Sequence, residues 1–158
     1  MKNLAAKVVL AATVGLAVTT SPAMAADIRY YSASSPLTVW QDGLAQAQMY
    51  GVFYVEQASY LRNSTWQRDP RPGGDSVYEE TTYYWYEACW SGSPDKGWCA
   101  GNVDSGPKSN TSTWYSQYDH DALQPAASDG RMSTHICEDH GIWAKDPCSI
   151  NAIGTFHY

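Results

Sequence analysis

The chain of 158 residues has only two phenylalanines, no Gly-x-Ser-x-Gly motif and no Cys-x-x-Cys pair, and after its first segment no apolar run approaches a membrane span. Each absence removes a class of protein. Without the nucleophile motif there is no signature of a serine hydrolase, and no serine or cysteine has a recognisable nucleophile setting. Without a short cysteine pair the four cysteines lack the spacing of a structural zinc site. A bilayer needs about 20 apolar residues, so no membrane span is expected. Long helical periodicity is missing, leucine and isoleucine are few, and there is no internal repeat.

Positive charge is also scarce, and most of what the N-terminus carries belongs to an export signal. Lys2 and Lys7 precede the apolar run Val8 to Val18, and Ala23-Met24-Ala25 supplies small residues around a cleavage point. The run is about 11 residues long, too short for an anchor. Residues 1–25 are therefore expected to be a cleaved signal peptide and residues 26–158 a single secreted β domain. Removing 25 of 158 residues leaves 133, enough for one core. Lys plus Arg falls from 10 to 8 against 16 acidic residues, a formal charge of −8. Such a balance disfavours nucleic acid and anionic membranes as partners.

Cys89, Cys99, Cys137 and Cys148 all lie beyond the signal, where an even count in an oxidising compartment points to disulfides. Of the three possible pairings, Cys89–Cys99 and Cys137–Cys148 are favoured. Both enclose short segments rich in turn formers, including Ser93-Pro94-Asp95-Lys96-Gly97 in the first and Gly141 and Pro147 in the second.

Tyrosine, tryptophan, threonine and valine are abundant and turn residues recur at short intervals, as in an all-β domain. Gly43 to Glu56 alternates, with Ala45, Ala47, Met49, Phe53 and Val55 on one side and Gln46, Gln48, Tyr50, Tyr54 and Glu56 on the other. A strand with a bend or bulge at Gly51 is expected there, a short helix over Leu44 to Met49 being the local alternative. Asp69 to Asp75 reads as a loop. Ser76 to Trp90 is the most β-prone run, with Val77, Tyr83, Trp85 and Cys89 on one face and Tyr78, Tyr84, Tyr86 and Trp90 on the other. Thr111 to Tyr118, Arg131 to Trp143 and Ile150 to Tyr158 are further strand candidates, with a turn-rich Asp119 to Gly130 between the first two. Five to seven strands of this kind predict a β-sandwich or a partly closed barrel stapled by two disulfides.

The alanine-rich leader, the stretch DPRPGGDSVY from Asp69 to Tyr78 and the closing CEDHGIWAKDPCS from Cys137 to Ser149 together resemble small secreted proteins of actinobacteria with no assigned activity. The resemblance implies a bacterial exoprotein with a sandwich-like fold, and it carries over no catalytic residue.

Candidate chemistry is sparse. His120, His135, His140 and His157 have no pair at i, i+4 or i, i+2, so no metal site is expected from them, and no cofactor motif is present. Asp69, Asp75 and Asp104 lie in loops but do not match a calcium loop. Glu79 and Glu80 point to opposite faces, and Glu87, on Glu79's face, is roughly 27 Å from it at strand rise. Neither combination makes a glycosidase pair without a partner from elsewhere.

All twelve tyrosines and seven tryptophans lie beyond residue 25. Exposed aromatic rings stack on sugars, and Tyr78, Tyr84 and Tyr86, with Tyr50 and Tyr54, are the candidates for binding an extracellular polysaccharide. The bland alternative is that these rings fill the core. A second reading is a secreted protease inhibitor that presents Lys96 from the disulfide-closed 89–99 loop to a trypsin-like pocket.

Overall fold

A computed structural model describes residues 26–92 and 94–158. The predicted signal peptide lies outside the described residues. Nine strands are found among them: β1 (Ile28–Tyr30), β2 (Leu37–Gln41), β3 (Leu44–Glu56), β4 (Tyr60–Arg68), β5 (Ser76–Glu87), β6 (Gly97–Ser105), β7 (Tyr115–Ala122), β8 (Asp129–Asp139) and β9 (Ala152–His157). All pairings are antiparallel. The first sheet runs β1-β3-β4-β7, with β2 also on β3; the second runs β6-β5-β8-β9. β1 takes the C-terminal half of β3 and β2 the N-terminal half, so one edge of the first sheet is shared by two short strands.

The sheets pack face to face, as alternation requires when each has one apolar side. Leu37, Val39, Met49, Phe53 and Leu61 of the first sheet meet Val77, Tyr83, Trp85, Met132, Ile136 and Phe156 of the second, all buried. Each large side chain removed from water here contributes roughly 1.5–3 kcal/mol. The alternation read in Gly43–Glu56 is found, with Ala47, Met49 and Phe53 fully buried and Tyr50 and Tyr54 on the outer side. The helix alternative at Leu44–Met49 is excluded, since those residues are strand paired with β2.

Gly51 corrects one expectation. Its pairing with β4 is continuous, so it marks no bulge; the register shifts lie at Val39/Trp40 and Thr82/Tyr84. A Cβ at Gly51 would overlap the Tyr30 hydroxyl and sit 2.5 Å from the Ser64 carbonyl oxygen. The glycine is there because a ring crosses the strand at contact distance.

The strand count exceeds the expected five to seven because β1, β2, β4 and β6 were not foreseen as strands, and β7 runs into the stretch read as turn-rich. The Thr111–Tyr118 candidate is displaced to Tyr115–Ala122, the Ser76–Trp90 run ends at Glu87, and the Arg131–Trp143 run stops at Asp139. Gly141–Trp143 forms a single 3-10 turn instead. Both expected disulfides are present, Cys89–Cys99 joining the ends of β5 and β6 and Cys137–Cys148 tying the segment after β8 back onto it. Loops of this length contribute about 2–3 kcal/mol each by restricting the unfolded chain. No helix among the described residues is long and apolar enough to cross a membrane.

Candidate functional site

Cross-strand register decides which rings share a surface. On the outer face of the first sheet, Tyr50 of β3 pairs with Trp66 of β4, which pairs with Ser116 of β7. The next outward rows are Val52, Ser64 and Tyr118, then Tyr54, Arg62 and His120. Aromatic and small polar residues therefore alternate across one surface. Tyr50 and Trp66 stack with centroids 5.3 Å apart and planes 7° from parallel, and Trp114 closes on Tyr50 edge-on at 4.8 Å. Arg62 lies over the Tyr118 ring at 3.8 Å and Arg68 over Trp114 at 4.5 Å. The guanidinium groups hold the rings in place while leaving Tyr118 58% exposed. Between Trp66 and Tyr118 runs a shallow groove of about 360 Å³, lined also by Ser64, Ser116 and Gln117.

The five predicted tyrosines do not come together. Tyr50 and Tyr54 belong to this face, whereas Tyr78, Tyr84 and Tyr86 lie on the outer face of the second sheet, across the whole thickness of the sandwich. Tyr78 is held down, its hydroxyl donating to Asp146 at 2.7 Å, and burial raises its pKa. Tyr86 tilts by 60° against Trp98, over which Arg131 sits at 3.9 Å. Trp66, Trp114 and Tyr118 complete the first face but were not among the sequence candidates. Alternation in Arg62, Ser64, Trp66 and Arg68 could have found Trp66.

Carboxylates converge inside instead of at the surface. Glu79, fully buried on β5, accepts hydrogen bonds from Asn63 (3.2 Å) and Gln117 (2.8 Å), and the hydroxyls of Thr81 and Thr134 reach the same carboxyl. Tyr30 donates to Asn63 from the far side at 2.9 Å. Burial, then the neighbouring Asp119 carboxyl within hydrogen-bonding reach, hold the Glu79 pKa well above the usual carboxylate range. Burial, Asp119 and Asp121 likewise raise Asp104. Asp119 is the partner that Glu79 lacks in the sequence. The two carboxyls lie within hydrogen-bonding reach of each other, however, whereas glycosidase pairs stand about 5–9.5 Å apart with a sugar between them. This cluster is a structural element of the core.

The histidines are dispersed. His120 packs edge-on against Tyr60 on the first sheet, and His135 faces Glu80 at 3.6 Å on the outside of the second. His157 pairs with Asp129, and His140 turns toward Asp75 and Glu138. Lys96 is exposed just before β6, within the loop closed by Cys89 and Cys99. A comparison of the chain with protein-family models, with curated proteins and with solved structures finds no match.

Proposed function

We propose that this is a secreted, non-enzymatic protein that binds extracellular polysaccharide across the outer face of the first sheet. The carrying observation is the near-parallel Tyr50–Trp66 stack beside the groove that ends at Tyr118. A sugar ring presents a flat C–H face that packs on an aromatic plane, and its hydroxyls need polar partners at the rim. Ser64, Ser116 and the guanidinium groups of Arg62 and Arg68 supply such partners. The leader-like residues 1–25 and the two disulfides support an extracellular location.

Of the two aromatic faces, the first is favoured because only there do two rings lie near parallel. Incubation with insoluble cellulose, chitin and bacterial cell-wall material tests the reading. The protein should sediment with at least one of them well above an albumin control, and retention equal to albumin on all three would refute it.

A further inference from the structure

At the end of the sandwich opposite the β3–β4 hairpin, three groups that commonly bind metal come together from two neighbouring strands. Ser76 pairs with Asp139 and Val77 with Glu138, so Asp75 follows the same register to a place opposite His140. Glu138 and His140 are two residues apart and share a face. His140 Nε2 stands 3.3 Å from Glu138 Oε2 and 3.7 Å from Asp75 Oδ2, and all three ligand atoms lie within 4.8 Å of one another. Two ligands bound to one tetrahedral ion at about 2.0–2.2 Å sit roughly 3.4 Å apart. The cluster needs only a small contraction of its exposed member, Asp75, to meet that spacing.

A second observation points to a ligand. Glu138 is only 9% exposed, and its Oε2, although 3.3 Å from His140 Nε2, accepts no aligned hydrogen bond, an arrangement that costs free energy unless something else satisfies the oxygen. Asp75 and Glu138 line a groove of about 540 Å³ together with Gln46, Arg71, Gly73 and Gly74. The frame around His140 is fixed: its backbone N–H donates to Asp146 at 2.9 Å, Tyr78 donates to the other oxygen of that carboxylate, and Cys137–Cys148 ties the segment down. Rigid second partners of this kind pre-set a ligand's position.

We propose that Asp75, Glu138 and His140 form a binding site for a divalent transition-metal ion of the zinc type, with its remaining coordination positions open to the groove. One imidazole and two carboxylates suit zinc, whereas calcium and magnesium prefer oxygen alone. Two carboxylates also balance the ion's charge.

Titration calorimetry of the disulfide-intact protein, freed of metal with a chelator and titrated with zinc chloride at pH 7.5, tests the site. One zinc ion per chain should bind, with calcium and magnesium showing no heat of binding at the same concentrations. His140→Ala and Asp75→Asn should each weaken zinc at least tenfold, and His157→Ala should leave it unchanged. Asp75 is exposed, so its variant should melt within a degree or two of the parent and separates loss of ligand from loss of fold. Absence of saturable zinc binding would mean that His140 only contacts the two carboxylates, and zinc affinity unchanged from the parent in both variants would place zinc elsewhere; either overturns the proposal, as does equal binding of calcium.

Discussion

Glu79→Ala should cost about 3–5 kcal/mol of stability, read as a lower urea midpoint with little change in slope, because it strips the acceptor from a fully buried network. Gln117 would keep an amide proton aimed at empty space, and Asn63 would keep a partner for only one of its amide protons, Thr81 at 2.8 Å. Thr81 and Thr134 would lose the carboxyl while still meeting each other at 2.9 Å. Glu79→Gln should behave differently. Its amide can donate to Asp119, and Gln117, whose Oε1 is buried without a partner, can turn that oxygen inward. Stability at pH 7 should then stay within about 1 kcal/mol of the parent.

The same carboxyl sets a pH dependence. Its folded pKa is raised, by burial first and Asp119 second, above the ordinary value of 4.5 that the unfolded chain approaches. The folded state therefore holds a proton that the unfolded state releases, and the associated stability is complete below about 4.5 and lost as pH rises toward the folded pKa. Asp69 and Asp104, both raised chiefly by burial, act in the same direction. Urea midpoints should decline from pH 5 to pH 8, and the decline should be shallower in Glu79→Gln. A parent whose stability rises over that interval, or an alanine variant costing under about 1 kcal/mol, would show that Glu79 is ionised and dispensable.

Trp66→Ala is the second large effect, and it falls on binding. The indole forms the stack with Tyr50 and one wall of the groove, so its removal deletes both the platform and the wall. Truncating a ring that anchors a ligand commonly costs about 2 kcal/mol or more, some 30-fold in affinity. Trp66 is only half-buried and faces outward, so the fold should survive with a small loss of stability. Trp98→Ala, on the opposite face beneath Arg131, should leave retention on the polysaccharide unchanged. Equal loss in both variants would point to a general effect of removing surface tryptophan.

What the sequence makes legible follows from what each strand faces. β3 alternates apolar inward residues with polar or tyrosine outward ones, and β5, with Val77, Tyr83 and Trp85 inward around Glu79 and Thr81, is dense enough in β-prone rings that the placement of both was readable. The disulfide pairing was readable too, because only short, turn-rich segments separate the partners. β4 and β7 escape the same rule because their inward residues are themselves polar: Asn63, Thr65 and Gln67 on β4, and Gln117, Asp119 and Asp121 on β7. They surround Glu79 rather than an apolar core, so the usual contrast between inside and outside disappears. β6 is an exposed edge strand with two glycines, which gives a pattern search little to hold.

The candidate site inherits that difficulty. Trp66 and Tyr118 sit on the two strands whose pattern is masked, so the tyrosines of the readable strands stood out and were grouped although they lie on opposite faces. The Asp75, Glu138 and His140 cluster was missed for another reason. A search for pairs of histidines overlooks Glu138 and His140, whose i, i+2 spacing on β8 and its extension places both on one side, and the third ligand comes from the register of a neighbouring strand.

The central claim is that sugar binds across the first sheet's outer face. Backbone amide shift mapping, with soluble oligosaccharide fragments of whichever polysaccharide retains the protein, tests it most directly. Shifts should concentrate at Tyr50, Ser64, Trp66, Ser116 and Tyr118; shifts concentrated instead at Tyr84, Trp98 and Arg131, or none at saturating fragment, would contradict it.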